Sequence, residues 1–371
     1  MLKSSLLLLF SVICQAASTT WLRELNLPRQ LQEYHVSSNS ILRQRCLLDP
    51  ECKIDLNATK CFGFEPFCHK NDSLTFRSKV TKCDKTLNPR VPETFFKQGD
   101  FGYLESHLVK HEICTSSDET FSSLTCSDHL THCVGRNVFF DFSNLKHKTS
   151  TRYRQDVIQK GQVGGRCEQL DRKLLEANLN VKGYLMSWAD ELRHFASNED
   201  FRMSSDFCDV IFERPTIVMK LDAAVNLYHH FCDFINLYAS LHLNQTFSQD
   251  VDIVWWDTHS DGFVDSMYGV TWKAFTDHKP FELKDLDQKR VCFRNLMLPM
   301  LARQRSGLFY NSPLVHGCAG TALFKSFSQF ILHRLGIKPP RAELEKVRVV
   351  ILSRSTAYRR FLNLKEVSQV N

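Results

Sequence analysis

Six polar side chains recur through Met219–Tyr238 at a spacing that stacks them on one side of an α-helix: Asp222, Asn226, His229, His230, Asp233 and Asn236. At about 100° per residue they fall within a sector of roughly 120°, while Ala224, Leu227, Tyr228, Phe231, Phe234 and Ile235 fill the opposite side. A stripe that faces bulk water is ordinarily stocked with Lys, Glu and Arg in i,i+4 pairs. This one holds only short side chains that hydrogen-bond and titrate. Two readings follow. The stripe forms the wall of a cleft, or it hydrogen-bonds to a neighbouring loop or strand of its own protein.

Other candidates stand at the ends of β-prone runs, where open α/β sheets bind ligands. Asp257, with Asp261 shortly after, follows Val251–Trp256. Ser353-Arg354-Ser355-Thr356 follows Val347–Leu352, and an Arg between hydroxyl side chains suits a diphosphate. Arg303-Gln-Arg305-Ser-Gly307 is a second, weaker phosphate-facing loop. Asp277-His278-Lys279 places a Lys where an acid-x-acid triplet has its second carboxylate; that Lys would oppose a divalent cation, so no metal is predicted. Gly161-Gln-Val-Gly-Gly165 lacks the spacing and the Lys-Ser/Thr of a phosphate loop and reads as a turn.

The elements that must position these residues change character along the chain. From residue 18 to Cys167, nine cysteines and many short polar interruptions indicate a disulfide-stapled region, with Phe95–Tyr103 and Asn137–Phe142 as anchors of its core, the second a strand. Beyond it, β-prone runs at Cys208–Phe212, Thr216–Met219, Val251–Trp256, Arg290–Phe293 and Val347–Leu352 alternate with helical stretches at Asp222–His242 and Gly320–Leu335. Such alternation predicts an α/β fold with a mostly parallel sheet. Lys338-Pro-Pro-Arg341 reads as a hinge before a second α/β unit that is only begun. The predicted division is therefore 1–17, 18–167, 168–340 and 341–371.

The 371 residues, 43% hydrophobic, suffice for a full core. A net charge of +6, with no long Lys/Arg run, gives no indication of a nucleic-acid partner. Residues 1–17 read as a secretory signal, with Lys3, an apolar core at Leu6–Ile13 and small residues to Ala17. That core is shorter than the roughly 20 residues a membrane span needs, and no later segment predicts one. Fourteen cysteines, less Cys14 in the signal, leave thirteen, an odd number with no Cys-x-x-Cys pair. Cys232, on the apolar side of the central helix, is the choice for the unpaired thiol, leaving up to six bridges. Sequons at Asn57, Asn71 and Asn244 accord with lumenal glycosylation.

At the central helix, and again at Thr271–Asp277, Lys289–Phe293, Gly307–Leu314 and Ile351–Thr356, the sequence closely resembles a glycosyltransferase family. That family, glycosyltransferase family 61, includes EGF-domain-specific O-linked N-acetylglucosamine transferases, plant xylosyltransferases and an O-mannose-linked GlcNAc transferase. The resemblance runs from about Cys46 to Leu362. It implies a GT-B-like architecture of two Rossmann-like lobes facing one cleft, in the endoplasmic reticulum lumen. It further implies transfer of GlcNAc from UDP-GlcNAc to Ser or Thr of folded EGF repeats, with inversion and without a bound metal or other cofactor.

Such transfer needs a base at the attacking hydroxyl and donors at the departing UDP. From the stripe, Asp233 is placed first and His229 second as base; His230 and Asn226 orient it or the acceptor, and Asp222 and Asp257 join Asn226 in substrate binding. Arg354, Ser355, Arg303 and Arg305 are the candidate donor-phosphate residues. The chain departs from the family at Asp277–Lys279 and in its length: relatives continue through a second lobe and end in a retention tail. The sequence reading accordingly carries an alternative, a catalytically silent lumenal or secreted glycoprotein that binds EGF repeats.

Overall fold

The computed structural model describes residues 20–56, 104, 108–151, 154–180, 186–221, 226–257, 269–302, 322–338, 362–363 and 365–366. The chain divides into two compact units, Met1–Ile337 and Lys338–Asn371. In the second unit, Asn363 Nδ2 donates to Glu366 Oε2 at 3.2 Å across a short turn. The strand expected at Val347–Leu352 and the anchor at Phe95–Tyr103 lie outside the described residues.

The described part of the first unit opens with three helices, α1 (Thr20–Glu24), α2 (Arg29–Ser38) and α3 (Ser40–Leu48). Asn39 ends α2 and caps α3, its side chain accepting from the Leu42 N–H at 2.9 Å. Eleven described strands then join one sheet. In chain order they are β1 (Lys110–Thr115), β2 (Ser123–Ser127), β3 (Cys133–Asp141), β4 (Val163–Gly165), β5 (Gln169–Leu170), β6 (Ala196–Ser197), β7 (Val210–Phe212), β8 (Thr216–Lys220), β9 (Asp252–Trp256), β10 (Phe281–Glu282) and β11 (Arg290–Leu298). Further α-helices among the described residues are α4 (Arg172–Asn178), α5 (Ala189–Leu192), α6 (Leu227–Leu243), α7 (Gly269–Trp272) and α8 (Ala322–Arg334).

The two nine-residue strands, β3 and β11, run antiparallel from Arg290–Asp141 to Leu298–Cys133 and form the spine. The outer edge of β3 carries β2 and β4 end to end; that of β11 carries β7 and β8. On the β11 side every pairing outward is parallel, giving the order β10-β9-β8-β11. On the β3 side β3, β2, β1 and β5 are antiparallel neighbours. The sheet is therefore mixed, parallel throughout the half built from β7 to β11 and, on the β3 side, only between β4 and β6. It also runs across the expected boundary at 167/168, because β3 pairs along its whole length with β11. Hydrogen-bonded registry, not cysteine density, determines which strands share a sheet.

Val163–Gly165, expected as a turn, is strand β4. Its glycines serve close approach: a Cβ on Gly164 would run into the carbonyl oxygen of Ala196, and one on Gly165 into the Ser122 hydroxyl.

Both faces of the parallel half are covered. Ile217, Met219 and Ile253 pack against Phe234, Leu237, Tyr238 and Leu241 of α6. Val218, Val254 and Trp256 pack on the opposite face with Trp188, Phe140, Leu283 and Leu286. Each large apolar side chain so buried contributes roughly 1.5–3 kcal/mol. Arg334 of α8 ties the N-terminal segment to this core, donating to the carbonyls of Leu25, Asn26, Phe247 and Ala274.

Four disulfides lie among the described residues: Cys46–Cys52, Cys114–Cys167, Cys126–Cys133 and Cys208–Cys292. Cys232 is a buried thiol outside these bridges, as its place on the helix predicts. No described helix is long and apolar enough to cross a membrane.

Candidate functional site at the carboxyl edge of the parallel strands

The unit β8-α6-β9 is a parallel crossover, with Thr216 to Lys220 paired residue by residue with Asp252 to Trp256. Its geometry carries the carboxyl ends of both strands, and the amino end of α6, to the same edge. In chain order the strands β8, β9, β10 and β11 lie 3-2-1-4 across the sheet: two steps out from β8 to one side, then back to its other side. Open sheets bind ligands beyond the carboxyl ends of strands where the winding reverses, here beside β8 and β11.

The helix begins later than expected. Asn226 is its N-cap, accepting from the Tyr228 N–H at 3.1 Å. Asp222 lies outside the described residues. Leu227 and Tyr228, expected on the buried side, are 39% and 55% exposed, because the first turn projects past the sheet. Asn226 and His229 are partly buried on that same turn.

Deeper members of the stripe are closed off. His230, Asp233, Asn236 and Ser240 are fully buried. Asn236 Nδ2 donates to Leu301 O at 2.7 Å, and Ser240 Oγ accepts from the Met300 N–H at 3.0 Å, so the lower half stitches α6 to the segment after β11. Trp272 Nε1 donates to His230 Nε2 at 3.2 Å, and His230 Nδ1 lies 3.7 Å from Asp233 Oδ2. Asp233 and His230 are thus enclosed by their own protein, while Asn226 and His229 on the first turn keep part of their surface exposed. Helical period placed these groups on one face; the packing of Trp272 and Leu301 sealed the lower part of it.

Asp257 directly follows β9 and is 7% exposed. Asn244, at the C-cap of α6, is exposed and open to modification. Arg303, Arg305, Arg354, Ser355, Asn57 and Asn71 lie outside the described residues. Asp277–Lys279 stands at the opposite, amino-terminal edge: the Asp277 N–H donates to Gln249 O at 3.0 Å, and His278 Nε2 lies 2.7 Å from Asp250 Oδ1, both just before β9.

A charged pair absent from the expected site residues stands at the carboxyl edge. Lys220, the last residue of β8, places Nζ 2.7 Å from Glu191 Oε1 and 5.1 Å from the centre of the Trp188 ring. Trp188 in turn donates from Nε1 to Pro299 O at 3.0 Å, just past β11. A Lys closing a strand carries no local signal; only strand pairing brings Ser187–Glu191 beneath it.

These features define a disulfide-stapled mixed α/β protein whose parallel strands reverse their winding at β8 and β11, with Asn226, His229, Asp257 and the Lys220–Glu191 pair at their carboxyl edge. No family model matches the chain. It is 40% identical over 363 residues to the EGF domain-specific O-linked N-acetylglucosamine transferase of Gallus gallus, covering 93% of this chain and 66% of the relative. The protein of the same name from Xenopus laevis is 39% identical over 358 residues, 94% of this chain and 67% of the relative. That from Drosophila melanogaster is 44% identical over 283 residues, 74% and 53%. The chain belongs to the family of EGF domain-specific O-linked N-acetylglucosamine transferases. It spans about two thirds of the length of the vertebrate relatives it matches. The silent-glycoprotein alternative gains no support from these names.

Proposed function

We propose that the protein is a glycosyltransferase that moves GlcNAc from UDP-GlcNAc to Ser or Thr hydroxyls of folded EGF-like domains, with inversion at the sugar. The observation that carries this reading is identity of about 40% over more than nine tenths of the chain to relatives all bearing that name. The 3-2-1-4 strand order supports a Rossmann-type lobe of the GT-B kind. The signal-like residues 1–17 and the disulfides support the endoplasmic reticulum lumen or secretion.

Inverting transfer needs a base within about 3 Å of the attacking hydroxyl. Partial exposure of His229 at the carboxyl edge supports it for that role ahead of Asp233, reversing the order expected from the stripe. Asp233, one turn inward at i+4, stands behind His229 as a fixed carboxylate, and His230 and Asn226 hold the turn in place. Asp257, at the end of β9, remains a substrate-binding candidate, with Asp222, and Arg303, Arg305, Arg354 and Ser355 remain the candidates for the diphosphate. Lys279, and the place of its triplet at the amino-terminal edge, support a step without a bound metal.

The test is to incubate the full chain, confirmed folded, with UDP-GlcNAc and a folded EGF repeat and weigh the repeat. Addition of one HexNAc, insensitive to EDTA, is expected. A folded chain that leaves the repeat unmodified overturns the reading, and loss of activity in EDTA overturns its metal-free part. Recovery of the expressed chain in the cytosol, with residues 1–17 retained, would overturn the lumenal assignment.

A further inference from the structure

We propose that Lys220, held in place by Glu191, is a substrate-contacting cation at the carboxyl edge of the parallel strands, and that it takes a neutral oxygen, a hydroxyl or an amide carbonyl, instead of a phosphate. The identity of the ligand rests on the transferase reading above.

Three observations support it. Lys220 stands where the winding of the parallel strands reverses, at the carboxyl end of β8, while Trp188 beneath it bridges to the carboxyl end of β11. This is where an open sheet offers its ligand crevice. Second, the burial of the pair is uneven: the Glu191 side chain is 3% exposed and that of Lys220 17%, so of the two it is the Lys220 side chain that offers surface to a ligand. Glu191 is then a positioning residue. It holds Nζ at 2.7 Å, helped by Ser187 O at 3.4 Å and the face of Trp188. Third, Glu191 Oε2 is buried with no hydrogen-bonding partner among the described residues. A buried acceptor left open calls for an explanation, and a functional role is one that fits its place beside Lys220.

Sign of charge selects the ligand. The pair is neutral as a unit, and the open carboxylate oxygen repels a phosphate brought against Nζ. A hydroxyl or amide oxygen offers the ammonium a lone pair without adding charge. Two sources carry that chemistry: the GlcNAc moiety of the donor and the Ser or Thr hydroxyl of the acceptor.

The experiment titrates UDP-GlcNAc, UDP and a folded EGF repeat into the full chain and into two variants, Glu191→Gln and the paired Glu191→Leu/Lys220→Met. Apolar replacement of both members of a buried pair is often neutral for stability, so a merely structural pair predicts a folded variant with unchanged binding and transfer. The proposal predicts a folded paired variant with at least tenfold weaker binding of one ligand. Loss for UDP-GlcNAc but not UDP assigns the sugar; loss for the EGF repeat alone assigns the acceptor. Glu191→Gln is expected to raise KM for that same ligand with a smaller change in kcat.

Unchanged binding of all three ligands, or equal loss for UDP and UDP-GlcNAc, overturns the proposal. If the paired variant does not fold, Lys220→Gln, at the partly exposed member, decides by the same comparison. Failure of the unaltered chain to transfer GlcNAc removes the transferase reading and this proposal with it; normal transfer with unaffected variants removes the Lys220 assignment alone.

Discussion

The indole nitrogen of Trp272 stands 3.2 Å from Nε2 of the His230 ring. An indole N–H only donates, so Nε2 accepts and the ring proton resides on Nδ1, the nitrogen 3.7 Å from Asp233 Oδ2. Long-range proton–nitrogen NMR of a histidine-labelled chain is expected to report the Nδ1-protonated tautomer at His230. Trp272→Phe should release that tautomer and cost about 1–3 kcal/mol in urea unfolding, since a buried acceptor loses its donor. An Nε2-protonated ring in the unaltered chain would contradict the assignment.

His229 and Asp233 separate by exposure. His229→Gln is expected to leave the melting temperature within a few degrees and lower kcat by about 10²-fold or more, the usual contribution of a general base. Asp233→Asn, in a fully buried site, should lower stability as well as activity. Normal kcat in a folded His229→Gln chain would remove His229 from the mechanism.

Arg334 is a partly buried cation, its pKa pushed down to about 9 by desolvation, that donates to four backbone carbonyls. Arg334→Met keeps its bulk and its contact with Phe330 but orphans those oxygens. A loss of at least about 3 kcal/mol is expected, with new protease cleavage near Leu25 and Asn26. A variant as stable and as protease-resistant as the parent would show that the N-terminal helices are held by other contacts.

Acid is expected to weaken the fold through buried histidines. Burial holds His35 at about 4, and burial with the nearby Lys110 charge holds His132 at about 4, both below the ordinary 6.5. Burial, and then the neighbouring His35, also keeps His242 low. Between pH 6.5 and 4 the unfolded chain binds protons that the folded chain excludes, so stability falls as pH drops through that window. For His35 and His132 the loss levels off below about pH 4. A tenfold difference in proton affinity between folded and unfolded chain is worth about 1.4 kcal/mol, so the urea midpoint should fall markedly from pH 7 to pH 5. His35→Gln with His132→Gln should flatten that dependence; an unchanged slope would discount both residues.

The Cys208–Cys292 bridge closes 84 residues of chain and joins the segment before β7 to β11. In the chain-entropy account a loop of that size is worth about 4–5 kcal/mol. Paired Cys208→Ser and Cys292→Ser substitution is expected to lower the denaturant midpoint accordingly. A shift below about 1 kcal/mol would place the constraint in the sheet pairing instead.

Much of the fold was legible in the residues. The runs at Thr216, Val251 and Arg290 became strands β8, β9 and β11, and Cys232 is buried on α6, as its place on an apolar helix face predicts. The N-terminal region was harder: cysteine density marked it as separate, whereas β3 joins it to β11 across more than a hundred residues of chain. At the site, Asn226, His229 and Asp257 reached the carboxyl edge because the order strand, helix, strand requires it. Lys220 and Glu191 left no trace in the sequence, since nothing in either neighbourhood refers to the other.

By itself the sequence determined the periods, and with them which residues of α6 share a face, and that an odd count of cysteines leaves one outside the bridges. Tertiary structure alone decided which part of that face keeps some exposure and which is closed. A helical repeat specifies direction around an axis but not what stands opposite. At His230 that is Trp272, 42 residues away, and at Asn236 it is Leu301, 65 residues away, partners that come into register only when the whole sheet has formed.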